Sequence, residues 1–122
     1  MGARISELLA SRRASALVVR DGGRTVAIPY DEITWIEAED YYARVHARDA
    51  RTLVRLSLRS LASTLDAWRF VRIHRSAIVN VGFVRSIEPL ASGDQRLVLS
   101  DGTELRVSRT YRADLEARLP RA

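Results

Sequence analysis

The 122 residues suit one domain with a modest core, and 47% hydrophobic with 29% charged residues is ordinary for a globular protein. The lack of cysteine excludes disulfides, thiolate metal sites and a cysteine nucleophile, and no apolar run reaches the ~20 residues of a membrane span. All 20 basic residues are arginine, set against 15 carboxylates; the net charge of +5 and pI near 10.6 point to a polyanionic partner, because guanidinium forks match phosphates and guanine edges.

The opening MGARISELLASRRAS lacks the apolar core of a signal peptide, so the expected location is the cytoplasm. Within it, Ile5, Leu8 and Leu9 fall on one stripe and predict a short helix over residues 4–13. ALVVRD and RTVAIP, separated by Gly22 and Gly23, predict two strands and a turn. TWIEAED follows as a strand with Ile33 and Trp35 inward. In YYARVHARD one parity holds Tyr41, Ala43, Val45 and Ala47, and the other holds Tyr42, Arg44, His46 and Arg48. That pattern predicts a half-buried strand with a basic outer face. TLVRLSL continues it, with Val54, Leu56 and Leu58 on one side.

SLRSLASTLDAW predicts a helix with Leu58, Leu61 and Leu65 on one face and Ser57 as its N-cap. FVRIH, a turn, AIVNVGFVRSIEPL and the break ASGD come next. Asp101-Gly102 between RLVLS and TELRVS is a strong hairpin signal. SRTYRADLEARL predicts a last helix capped by Ser108, with Tyr111, Leu115 and Leu119 on one stripe. The fold class is mostly β, with eight to ten short strands and two or three short helices.

Catalytic and metal chemistry find little support. His74 and Ser76 lie two apart on one strand, and Glu37 or Asp40 would complete a drawn triad, but a nucleophile elbow and a glycine-rich oxyanion turn are missing. No catalytic residue is assigned and the chain is not read as an enzyme. Glu37, Glu39 and Asp40 with two histidines lack a metal-ligand spacing, so no metal or cofactor is expected and these carboxylates are read as arginine partners or solvated groups. Tyr41 and Tyr42 read as one core and one rim aromatic rather than as base-stacking groups. Arg44, Arg72, Arg75, Arg109 and Arg112 all fall at strand ends or turns, where side chains project from a scaffold. A helix start near Ser108 adds free backbone N–H groups for an anion.

Three stretches together resemble the LytTR-type DNA-binding domain. They are ITWIEAEDYYARVHA, then SLRSLASTLDAWRFVRIHRSAIVNVGFVRSI, then LSDGTELRVSRTYRADLEARL. The resemblance covers about residues 16–119; residues 1–15 read as a linker-like helix and 16–122 as the domain. It implies an elongated arrangement of short antiparallel sheets, about ten strands with two or three short helices, whose loops enter successive major grooves. Carried onto this sequence, base-reading falls to Arg44, Arg75 and Arg109. Backbone contacts fall to Arg72, Ser76 and Arg112. Ala43 would touch a thymine methyl, and His74 would either lie near DNA or orient its turn by hydrogen bonds. Phe70, Ile73, Ile78 and Val79 match core positions, and Asn80 a structural hydrogen-bonding one. The implied partners are double-stranded DNA, bound as two copies on direct repeats in bacterial promoters, and a receiver domain of a response regulator not contained in this chain. A non-enzymatic protein-interaction module on the same β scaffold is the alternative.

Overall fold

Gly22 and Gly23, both at positive φ, fold the first two strands back on each other: β1 (Ala16–Asp21) pairs with β2 (Arg24–Pro29). The structure, a computed structural model, describes residues 15–119, so the expected helix over 4–13 lies outside the described residues. A 3-10 turn (Tyr30–Glu32) leads to β3 (Ile33–Glu39), β4 (Tyr42–Ala47) and β5 (Arg51–Val54). Helix α1 (Leu58–Thr64) precedes β6 (Phe70–His74) and β7 (Ala77–Asn80). A second 3-10 turn (Val81–Phe83), β8 (Val84–Pro89), β9 (Gln95–Leu99), β10 (Glu104–Val107), a third 3-10 turn (Arg109–Tyr111) and α2 (Arg112–Arg118) complete the order. Among the described residues, ten strands form three antiparallel sheets, β1-β2, β5-β4-β3-β7-β6 and β10-β9-β8, so the fold is mostly β as the sequence predicts.

The five-stranded sheet is covered on both faces. On one, Ile36, Val45 and Ile78 pack with Leu17 of β1 and Leu61 of α1. On the other, Val71, Ile73 and Val79 pack with Leu97 of β9, Val107 of β10 and Leu115 of α2. Burial of each such aliphatic side chain contributes roughly 1.5–3 kcal/mol relative to exposure. All four residues of β7 are buried, as a strand with cores on both faces requires.

Asn80 has the structural role expected of it. At 2% exposure, its Nδ2 donates to the carbonyls of Tyr30 (3.2 Å) and Ile33 (2.9 Å), and its Oδ1 accepts from the Gly82 N–H (2.9 Å). Every hydrogen-bonding atom of the amide is used, which is what lets it sit inside a core. Ser57 caps α1 as predicted, its hydroxyl accepting from the Ser60 N–H at 3.0 Å.

Four local expectations change. Ser108 does not cap a helix: a 3-10 turn intervenes, α2 begins at Arg112, and neither start has a side-chain cap. The α1 helix stops at Thr64, where Asp66 folds the chain into a turn by accepting from the Trp68 N–H. Because β5 ends at Val54, Leu56 leaves the strand parity and is 41% exposed. Tyr41 and Tyr42 do not divide between core and rim, with exposures of 84% and 40%. A two-residue turn, with Asp40 at φ 55, lifts Tyr41 out of the alternation, and Tyr42 falls on the outer parity with Arg44.

Candidate nucleic-acid interface

Two backbone hydrogen bonds gather the predicted site residues. The Ala38 N–H donates to the Ser76 carbonyl at 2.9 Å, so the β3–β4 tip extends past the turn between β6 and β7. The Ser108 N–H donates to the Ile73 carbonyl at 2.9 Å, which brings the end of β10 and the 3-10 turn after it beside β6. The β3–β4 tip, the 74–77 turn and the 109–111 turn therefore share one end of the middle sheet. Arg75, Ser76, Arg109 and Arg112 are exposed there; Arg44, Arg72 and His74 are half-buried.

The 74–77 turn is held from within. Arg72 donates through Nη2 to the Arg75 carbonyl (2.7 Å) and through Nε to the His74 carbonyl (3.3 Å), and its guanidinium lies 5.8 Å from the Tyr111 ring centroid. His74 Nδ1 accepts from the Ser76 N–H (3.2 Å) and lies 2.8 Å from the Ser76 hydroxyl. An amide can only donate, so Nδ1 is an acceptor and a neutral ring carries its proton on Nε2. His74 thus orients the turn by hydrogen bonds, and Arg72 braces it. The brace joins two turns, because Tyr111 belongs to the other one. Arg75, with no ion-pair partner among the described residues, projects from the result.

Arg109 is seated differently. A Cβ on Gly93 would lie 2.9 Å from its Cδ, so the arginine stem crosses directly over the turn between β8 and β9. Gly93 also needs its positive φ of 93 to close that turn, in which its N–H donates to the Leu90 carbonyl. The positive φ favours glycine, and any larger residue would also push the Arg109 stem aside. Sequence reasoning missed this seat: ASGD read as a break between strands, and nothing local connects Gly93 to a residue 16 positions on. Arg112 pairs with Glu116 one helical turn along, Nε to Oε1 at 3.1 Å, a surface pair of small energetic worth.

At the third place, Ala43 is fully buried with its methyl in the core. A thymine-methyl contact is closed to it. The sequence parity already placed Ala43 with Val45, and the structure follows that parity rather than the assignment carried over by resemblance. Arg44, on the outer parity, is bound side-on by Glu39, Nε to Oε2 at 2.6 Å and Nη2 to Oε1 at 2.8 Å. The hydrogen bonds from Arg44 hold the Glu39 carboxyl below its usual range, and Glu39 in turn raises Arg44. Of the acidic cluster, Glu39 is an arginine partner as expected, and Glu37 reaches His46 Nε2 at 2.7 Å, a histidine contact the sequence reading did not name.

With this geometry in view, comparison with known proteins gives one family. The LytTr DNA-binding domain matches residues 23–120. The chain is 29% identical over 100 residues to sensory transduction protein LytT of Bacillus subtilis, covering 82% of this chain and 42% of that protein. It is 30% identical over 109 residues to the heme-containing CO-sensing transcriptional regulator RcoM 2 of Paraburkholderia xenovorans, covering 88% and 40% respectively. Its fold is similar to a solved LytTr DNA-binding domain from Bacillus cereus, with a TM-score of 0.75 at 25% identity over 85% of this chain and 95% of that one. The chain spans about two-fifths of the length of these curated relatives.

Proposed function

This chain belongs to the LytTr DNA-binding domain family, and we propose that it reads duplex DNA through Arg44, Arg75 and Arg109 as the DNA-binding part of a bacterial transcription regulator. The observation that carries the reading is the gathering of three arginine-bearing places at one end of the middle sheet by the Ala38–Ser76 and Ser108–Ile73 hydrogen bonds. Two of them, Arg75 and Arg109, are exposed and without an ion-pair partner among the described residues. Turns on a rigid sheet can enter a major groove that a lone flat surface cannot. Ser76 and Arg112 flank these places and supply phosphate contacts, while Arg72 acts chiefly by bracing the turn that carries Arg75.

Two copies occupy successive sites on direct-repeat promoter DNA in the cytoplasm. A signal-receiving domain, such as a receiver, regulates them from elsewhere in a longer protein. The curated relatives, more than twice the matched length, are named for sensing and transduction.

The test is a titration of duplex DNA across salt concentrations, followed by selection of bound sequences from a random pool. Neutralising about four to six phosphates per copy gives a slope of log K against log salt of roughly −4 to −5. A flat response removes the DNA reading and leaves the protein-interaction module.

A further inference from the structure

The β3–β4 tip carries carboxylates where a DNA-facing surface gains nothing from negative charge. Glu39 takes Arg44 through both oxygens, at 2.6 and 2.8 Å, and Glu37 adds a second carboxylate oxygen 3.9 Å from the same Nε. Both side chains remain well accessible, at 30% and 44%, so the contribution of the pair to folding is small. Its geometry suggests another use. A guanidinium has five N–H groups, and the side-on pair consumes two of them on the Nε–Nη2 edge. The outer N–H of Nη2 and both of Nη1 remain, and they form the end-on fork that meets guanine O6 and N7.

Resting on the DNA-binding reading above, we propose that Glu39 is a specificity-determining positioning residue, which holds Arg44 side-on and offers its end-on fork to a guanine. Two consequences follow from the pairing. The carboxylate fixes the plane of the guanidinium, which a four-bond side chain would otherwise leave free. It also cancels the charge that would bind any phosphate, so Arg44 gains more from a guanine edge than from DNA at large.

Duplexes are selected from a random pool with the wild-type chain, then with Glu39→Gln, Glu39→Ala, Arg44→Lys and Arg75→Ala. The wild-type site contains a guanine whose preference falls about tenfold or more in both Glu39 variants, since a good bidentate arginine contact is worth about that discrimination. Arg44→Lys loses the same guanine, because an ammonium keeps the charge but has no fork. The preference lost in Arg75→Ala lies at a different position and survives in the Glu39 variants. Random-sequence affinity rises in Glu39→Gln, and its salt slope steepens by about one unit as Arg44 is released to phosphates. Melting temperature moves by no more than a few degrees, which separates positioning from folding. Glu39 variants that keep the guanine preference, in a chain whose wild type selects a site, overturn the role of Glu39 alone. A wild-type chain with no salt-dependent duplex binding overturns the DNA reading and this inference with it.

Discussion

The β6–β7 hairpin has two ends, and both are held by side chains that donate to backbone carbonyls. At one end Asn80, nearly without solvent access, bonds Tyr30 and Ile33. At the other, half-buried Arg72 bonds His74 and Arg75. The difference is what replaces a lost bond. Behind Asn80 lies an apolar core, where no water replaces the bonds it gives to the Tyr30 and Ile33 carbonyls, and the Tyr30 carbonyl would keep only the Ile33 N–H. Around Arg72 lies water, which satisfies carbonyls at little cost. Hydrogen-bond counts alone would rank the two ends as equals; the surrounding medium makes one a store of stability and leaves the other, the turn we propose for recognition, adding little to it.

The sharpest way to break this contrast is Asn80→Ala. It removes two hydrogen bonds to buried carbonyls and opens a small void, so we expect a loss of roughly 2–4 kcal/mol and a fall in melting temperature of about 10–20 °C. The fraction still folded at low temperature keeps the wild-type ratio of specific to random DNA affinity. A loss under about 1 kcal/mol would remove the asymmetry. Arg75→Ala is the opposite case: unchanged melting, and a specific-to-random ratio lower by about 1–3 kcal/mol, with Arg109→Ala alike. If titration with both kinds of DNA shows that ratio intact, these residues do not read bases.

Arg72→Ala falls between. It costs about 1 kcal/mol by denaturant titration, because its bonds are wet but its guanidinium lies over the Tyr111 ring. It lowers the specificity ratio by less than Arg75→Ala, and Arg72→Lys restores little, since one ammonium cannot span both carbonyls.

The smallest effect belongs to the β9–β10 turn, a wet turn to which we assign no reading role. The Thr103 N–H bonded to Asp101 holds that carboxyl below its ordinary value. A folded-state value below the unfolded one stabilises the fold above the unfolded value, and that stabilisation fades as pH falls through the folded one. Denaturant midpoints below about pH 4 should therefore drop slightly more for wild type than for Asp101→Asn, with DNA binding unaffected.

Local chemistry made much of this legible. Gly22-Gly23 and Asp101-Gly102 announced their hairpins, Ser57 its helix, and the alternation from Tyr42 to Ala47 its buried and outer faces. The turn after FVRIH is legible locally, whereas the core positions Phe70, Ile73, Ile78 and Val79 and the role of Asn80 come from the family resemblance. What stayed hidden depends on partners distant in the chain or on exact turn geometry. Asp40 at positive φ, which exposes Tyr41, leaves no mark in an alternation pattern. The seat of Arg109 needs Gly93 from another strand pair. The commitment of Arg44 to Glu39 follows from the register of the β3–β4 hairpin, which sets Arg44 opposite Glu37 and diagonally across from Glu39 on the same face.

Strand β7 also poses a problem of alignment. With apolar side chains at Ile78 and Val79 and cores on both faces, sliding it by one residue against β3 would exchange one aliphatic group for another. Hydrophobic patterning, which usually fixes how strands line up, discriminates weakly here. Asn80 discriminates strongly, because a slide would carry its amide away from Tyr30 and Ile33 into a place with no acceptors. The same amide therefore sets where the 74–77 turn stands relative to the β3–β4 tip that extends past it. A shift of one residue is about 3.3 Å, more than the reach tolerance of an arginine fork on a base edge. Asn80, nearly without solvent access, sets the position of a turn that faces solvent.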